Sequence, residues 1–105
     1  MQLRVSSPGT RLRDADVDRI EKDLEKIDRR LRQFDDVYAD VRINDGHSGA
    51  PLHHVTLELR YGRHHLVAKS QNEDIGMAVR DAREEILRQI NDRSRGGHSE
   101  YSKRA

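Results

Sequence analysis

Apolar positions in this chain follow two periods, and their order predicts a strand, a helix, three strands and a second helix. Met1–Val5 is short and alternating and predicts a first strand, and Ser6-Ser7-Pro8-Gly9-Thr10 breaks it with a loop. Val17, Ile20, Leu24, Ile27, Leu31 and Phe34 recur every three or four residues, the signature of one helical face. That spacing predicts a helix capped by Asp14 or Asp16, running to about Phe34 and ended by Asp35-Asp36. The segment 37–43 then alternates strictly and predicts a strand with Val37, Ala39, Val41 and Ile43 facing inward. A polar loop rich in turn formers follows over 44–51.

Val55, Leu57 and Leu59 alternate with Thr56, Glu58 and Arg60, and Leu66, Ala68 and Ser70 follow a Gly62-Arg63 turn. A two-residue turn there places 59 opposite 66, 57 opposite 68 and 55 opposite 70, so each inward residue meets an inward partner. Asn72, or Ser70 in a capping box with Glu73, is expected to start the last helix. Its buried stripe is Ile75, Ala78, Val79, Ala82, Ile86 and Ile90. Two amphipathic helices and a one-sided sheet pack economically only if both helices cover the same sheet face. The expected architecture is therefore α+β, a βαβββα chain over 1–93, with a four-stranded mixed sheet. The first two strands are parallel through a right-handed crossover. Tyr38, Asp40, Arg42, Thr56, Glu58, Arg60, Val67 and Lys69 are left on the wet face. Residues 94–105 are dominated by Ser, Gly and charge, which predicts a basic, disordered tail.

Composition narrows the function. Of 105 residues, 33% are hydrophobic and 37% charged, so the core must be thin and aliphatic. The net charge is only +1, yet it is unevenly spread: residues 1–13 carry +3, residues 93–105 carry +3, and 14–92 carry −5. No run approaches the ~18 apolar residues of a membrane span. Met1–Val5 is not the start of an export signal, and the absence of cysteine excludes disulfides and thiolate chemistry. A cytoplasmic protein is expected.

Candidate chemistry is sparse. His53-His54 and His64-His65 are adjacent strand residues, which point to opposite faces and do not converge on a metal. No metal site and no cofactor are predicted. There is no nucleophile elbow and no glycine-rich phosphate loop, and the carboxylates mostly sit one helical turn from Lys or Arg. An enzyme is not predicted.

The helix faces say more. With Arg19 set at zero and about 100° per residue, Arg19, Lys22, Lys26, Arg29 and Arg30 fall between roughly 280° and 20°. Asp18, Glu21, Glu25 and Asp28 fall between roughly 180° and 260°, while Asp16, Asp23 and Arg32 break the pattern. The last helix repeats this more weakly, with Arg80 and Arg83 on one flank and Asp81, Glu85 and Asp92 on the other. Rows of Lys and Arg at helical spacing can track phosphates. A solubilising surface is the competing reading of the same rows.

Several of these segments together resemble one family. They are the short first strand, Glu-Lys-Asp-Leu-Glu-Lys-Ile at 21–27, the strand 37–43, the hairpin 55–70 and Asn72-Glu73-Asp74-Ile75 entering the last helix. The chain is similar to the ribosome hibernation-promoting factors and ribosome-associated inhibitors, also called sigma-54 modulation proteins, over about residues 1–93. The resemblance implies a fold related to double-stranded RNA-binding domains. It also implies binding to ribosomal RNA in the mRNA and tRNA channel of the small ribosomal subunit, with translation silenced in stationary phase or stress. Lys22, Lys26, Arg29 and Arg88 match basic positions of the family, and Arg19, Arg30, Arg80 and Arg83 are added by the helical wheel.

The chain departs from the family at Asp23 and Glu85, where Lys is frequent, and at Asn91-Asp92. The C-terminal dimerisation domain of long members has no counterpart in the sequence, so a monomer or weak dimer is expected. The alternative is a diverged member working as a protein-interaction or regulatory module through Glu21, Glu25, Asp81 and Glu85.

Overall fold

The computed structural model describes residues 1–8, 11–45 and 52–104, with side chains as far as Arg93. Its elements are β1 (Gln2–Ser6), α1 (Asp14–Arg30), β2 (Val37–Asp45), β3 (His53–Tyr61), β4 (His64–Asn72) and α2 (Ile75–Arg104). The expected βαβββα order holds. The strands lie in the order β1-β2-β3-β4, with β1 parallel to β2 and the rest antiparallel.

Alternation on each strand sends one set of side chains to the helices and the other outward. Val37, Ala39, Val41 and Ile43, then Val55, Leu57, Leu59 and Tyr61, then Leu66 and Ala68, are all buried. The hairpin register is the expected one, with Leu59 opposite Leu66, Leu57 opposite Ala68 and Val55 opposite Ser70. Ile20, Leu24, Ile27 and Leu31 from the first helical segment complete the core, with Ala78, Val79, Ala82, Ile86 and Ile90 from α2. Each fully buried Leu or Ile is worth roughly 1.5–3 kcal/mol relative to an exposed one. The small residues Ala78 and Ala82 let α2 lie close to the sheet.

Several boundaries differ from the sequence reading. First, α1 ends at Arg30, about a turn before Phe34. Leu31 turns out of the helix with its N–H shared between the carbonyls of Ile27 and Asp28, and the Phe34 N–H returns to the Leu31 carbonyl. Phe34 keeps helical spacing but packs edge-on against Tyr61, ring centres 4.9 Å apart, beside the β3–β4 turn. Gly62 in that turn has φ +55°, and a Cβ there would stand 3.2 Å from the Phe34 ring.

Second, Arg13 and not Asp14 or Asp16 occupies the cap position of α1. Asp16 acts three residues later, accepting the Arg13 backbone N–H at 3.1 Å, and this bond holds its carboxyl below the usual aspartate range.

Third, Asp74 caps α2. Its Oδ1 accepts the backbone N–H of Gly76 at 2.8 Å and of Met77 at 3.3 Å. Asn72 acts one step earlier, accepting the Asp74 N–H at 2.9 Å, and Ser70 donates to the Ala78 carbonyl, tying β4 to the helix. The strands β2 and β3 also extend beyond 43 and before 55, to Asp45 and from His53. Most of the expected 44–51 loop lies outside the described residues; where the sequence predicts a disordered tail from 94, the backbone continues α2 to Arg104, with the side chains beyond Arg93 outside the described residues.

Candidate nucleic-acid interface

The sequence of elements forces the two helices to run the same way. Each follows a strand of the same direction and returns antiparallel to it, so equivalent turns of α1 and α2 face each other. Arg19 lies over the first turn of α2, its guanidinium carbon 3.0 Å from where a Cβ on Gly76 would stand. One turn on, Asp23 meets Arg83, with Oδ1 at 3.7 Å and its backbone carbonyl accepting Arg83 Nη1 at 3.3 Å. Next, Lys26 Nζ lies 3.7 Å from Glu84, and finally Arg30 Nε donates to Asn91 Oδ1 at 3.2 Å.

This seam pairs charges of opposite sign. Arg83 is nearly enclosed, with 11% of its side chain exposed, and also bonds Glu84. Glu84 is accordingly held below the usual glutamate range, chiefly by the Arg83 hydrogen bond and further by the charges of Arg83 and Lys26. One oxygen of Asp23 and Nε of Arg83 are buried with no hydrogen-bond partner among the described residues. On the outer side of α2, Arg88 is gripped by Glu85 at 2.6 Å and Asp92 at 3.0 Å. The Arg88 hydrogen bond is the main cause lowering the Glu85 carboxyl, and Glu85 in turn raises Arg88.

The eight basic residues singled out in the sequence therefore divide. Lys26, Arg83 and Arg88 are ion-paired within the fold, and Arg30 is hydrogen-bonded across the seam. Lys22, Arg29 and Arg80 are exposed and have no carboxylate within 4 Å among the described residues; Arg19 is exposed and leans on Gly76. Lys22 and Arg29 stand two turns apart, about 10 Å along the outer edge of α1. Arg80 occupies the turn of α2 between Gly76 and Arg83, on the flank nearest α1.

The acidic departures Asp23 and Glu85 have a structural role that the sequence did not reveal. Each is the clamp on an arginine of α2. No wheel drawn on a single helix could find the first of these, because Asp23 and Arg83 are 60 residues apart.

The histidines go elsewhere: His53 pairs with Asp45 at 2.9 Å, His65 with Glu58, and His64 rests against Tyr61. Among the described residues no three His, Asp or Glu side chains converge as metal ligands, and no helix is long and apolar enough to cross a membrane.

Comparison with known proteins gives a consistent picture. The family described as Sigma 54 modulation protein / S30EA ribosomal protein matches residues 3–95. Two similar solved structures are the N-terminal domain of Thermus thermophilus Protein Y and a ribosomal subunit interface protein from Coxiella burnetii. The first has a TM-score of 0.73 at 17% identity, covering 86% of this chain and 96% of the other. The second has a TM-score of 0.72 at 13% identity, covering 90% and 98%. At these identities the likeness establishes the fold. Comparison with curated protein sequences returns no match.

Proposed function

The chain belongs to the Sigma 54 modulation protein / S30EA ribosomal protein family, and from that premise we propose that it is a cytoplasmic hibernation factor of the small ribosomal subunit. In this reading it binds ribosomal RNA in the mRNA–tRNA channel and silences translation by occupying the space, in stationary phase or stress. No chemical step is involved, in keeping with a family of ribosome-associated factors that are not enzymes.

The observation that carries the proposal is the set of exposed cations on two parallel helices held rigidly by one sheet. Among the described residues Lys22, Arg29 and Arg80 have no carboxylate within 4 Å, and Arg19 and the half-exposed Lys26 extend the row toward the seam. Phosphate contacts of this kind position a protein on RNA without reading sequence. Arg83 and Arg88 hold the helices and their neighbouring carboxylates in place and contribute little to phosphate binding. Arg30 is intermediate, being tied to Asn91 but half-exposed. Steric occlusion requires only one copy, so a monomer suffices.

Cosedimentation with purified small subunits across a salt series tests this. Binding must weaken steeply as salt rises, with a log–log slope reflecting about three to five phosphate contacts. Absence of binding in dilute buffer sinks the proposal. The reading as a protein-interaction module through acidic flanks is weakened by Glu85, which Arg88 and Gln89 already occupy.

A further inference from the structure

The sheet face turned away from the helices is organised in rows. Gln2, Tyr38, Arg60 and His65 lie side by side across the four strands; Arg4, Asp40, Glu58 and Val67 form the next row, and Ser6, Arg42, Thr56 and Lys69 the third. Four fixed cations thus surround two carboxylates. Tyr38, 46% exposed, stands where two grooves meet. One groove is lined by Gln2, Arg4, Tyr38, Asp40, Glu58 and Arg60, and the other by Phe34, Tyr38, Arg60 and Tyr61 among others.

The two carboxylates are not equivalent. Glu58 is satisfied by His65. Asp40 differs: its Oδ1 is buried with no hydrogen-bond partner among the described residues, although Arg4 and Glu58 are its direct neighbours across the sheet. Oδ1 itself is shut off from solvent, so a ligand in the groove meets the other oxygen of this partly exposed carboxylate; beside an exposed aromatic ring and two guanidinium groups, that acceptor fits a ligand with N–H donors, a flat face and a negative charge.

We propose that this groove holds one unpaired guanine nucleotide of RNA. The base stacks on Tyr38, its donor edge meets Asp40, and Arg4 and Arg60 take its phosphate. Guanine is the base of choice because a carboxylate only accepts, and guanine presents two adjacent donors, N1–H and the 2-amino group. Adenine and cytosine place an acceptor nitrogen beside the amino group, and uracil flanks its N–H with carbonyls. The face opposite the helices would then give the protein a second hold on RNA. Its RNA source rests on the functional reading above, whereas the base preference does not.

The test is titration of the full chain with four single-stranded tetraribonucleotides, all-uridine or with one guanosine, adenosine or cytidine, and with 5′-GMP, followed by backbone amide NMR. The guanosine tetramer should bind about tenfold or more tightly than the all-uridine one, with shifts centred on 38–40 and 58–60. Tyr38→Ala should weaken it by about fivefold to a hundredfold. Asp40→Asn, which relieves repulsion with Glu58 and keeps the fold, should erase the guanine preference. Lys22/Arg29/Arg80→Ala should leave tetramer binding unchanged even where ribosome binding is lost, so the two proposals fail separately. Equal binding of all tetramers, shifts confined to the helices, or indifference to both sheet variants overturns the site. GMP binding as tightly as the guanosine tetramer keeps the base site and overturns RNA as its source.

Discussion

Helices α1 and α2 each carry several basic residues and hold some of them in opposite ways. On α1, Lys22 and Arg29 project into solvent with no carboxylate within reach among the described residues. On α2, Arg83 is enclosed by Asp23 and Glu84, and the exposed Arg88 is ion-paired with Glu85 and Asp92, which leaves Arg80 as the one of these three with no carboxylate within 4 Å among the described residues. A row of arginines in a sequence is therefore not yet a phosphate-binding row. What matters is whether the fold has already supplied each cation with an anion, since a phosphate must then compete with that partner and recover the cost of separating the pair.

The comparison can be broken most forcefully at Arg83. Arg83→Ala removes the partner of the half-buried Asp23 and is expected to cost about 1–3 kcal/mol. For a domain of this size that is a fall in Tm of about 4–8 °C per kcal/mol. Thermal denaturation checks it; an unchanged Tm would mean that the seam is decorative. A smaller effect is expected on the outer side of α2. Glu85→Gln weakens the grip on Arg88 and should raise affinity for small subunits about two- to fivefold at low salt, at a stability cost of less than about 1 kcal/mol. Affinity that stays flat would show that Arg88 does not face the RNA at all.

The smallest effect is in pH. Glu84 and Glu85 are held below their ordinary value of 4.5 by arginine hydrogen bonds. Because the folded-state pKa is the lower one, the stabilisation is complete above about 4.5 and is lost as pH falls through the depressed values. Both groups are about half-exposed, so after screening by solvent each contributes under about 1 kcal/mol. Urea denaturation between pH 5 and 3 should show a decline that is shallower in a Glu84→Gln variant.

Much of the fold was legible in the sequence because its signals are local. The alternation of Val55, Leu57 and Leu59 against Leu66 and Ala68 defined the hairpin register, and the three–four spacing from Ile20 to Leu31 defined the buried face of α1. Phe34 misled because helical spacing continues through it, while the energetically better partner is Tyr61, 27 positions further on. The α2 cap was placed too early because Asn72, Ser70 and Asp74 are all competent side chains, and only backbone geometry decides which N–H groups come within reach.

The candidate interface was legible as composition but not as electrostatics. A helical wheel gives the azimuth of each charge, yet Arg83 and Lys22 differ in what the other helix places opposite them, which depends on how the helices pack. On the sheet, the orphaned Oδ1 of Asp40 was invisible for the same reason.

The most direct measurement sets the two kinds of cation against each other on the same ribosomes. Small-subunit cosedimentation at fixed low salt would compare the unaltered chain, Lys22/Arg29/Arg80→Ala, and Arg88→Ala. Loss of about tenfold or more in affinity for the triple variant, with a salt slope shallower by about two to three, and near-normal binding for Arg88→Ala is the predicted result. Equal losses in both variants, or normal binding by the triple variant, would contradict it.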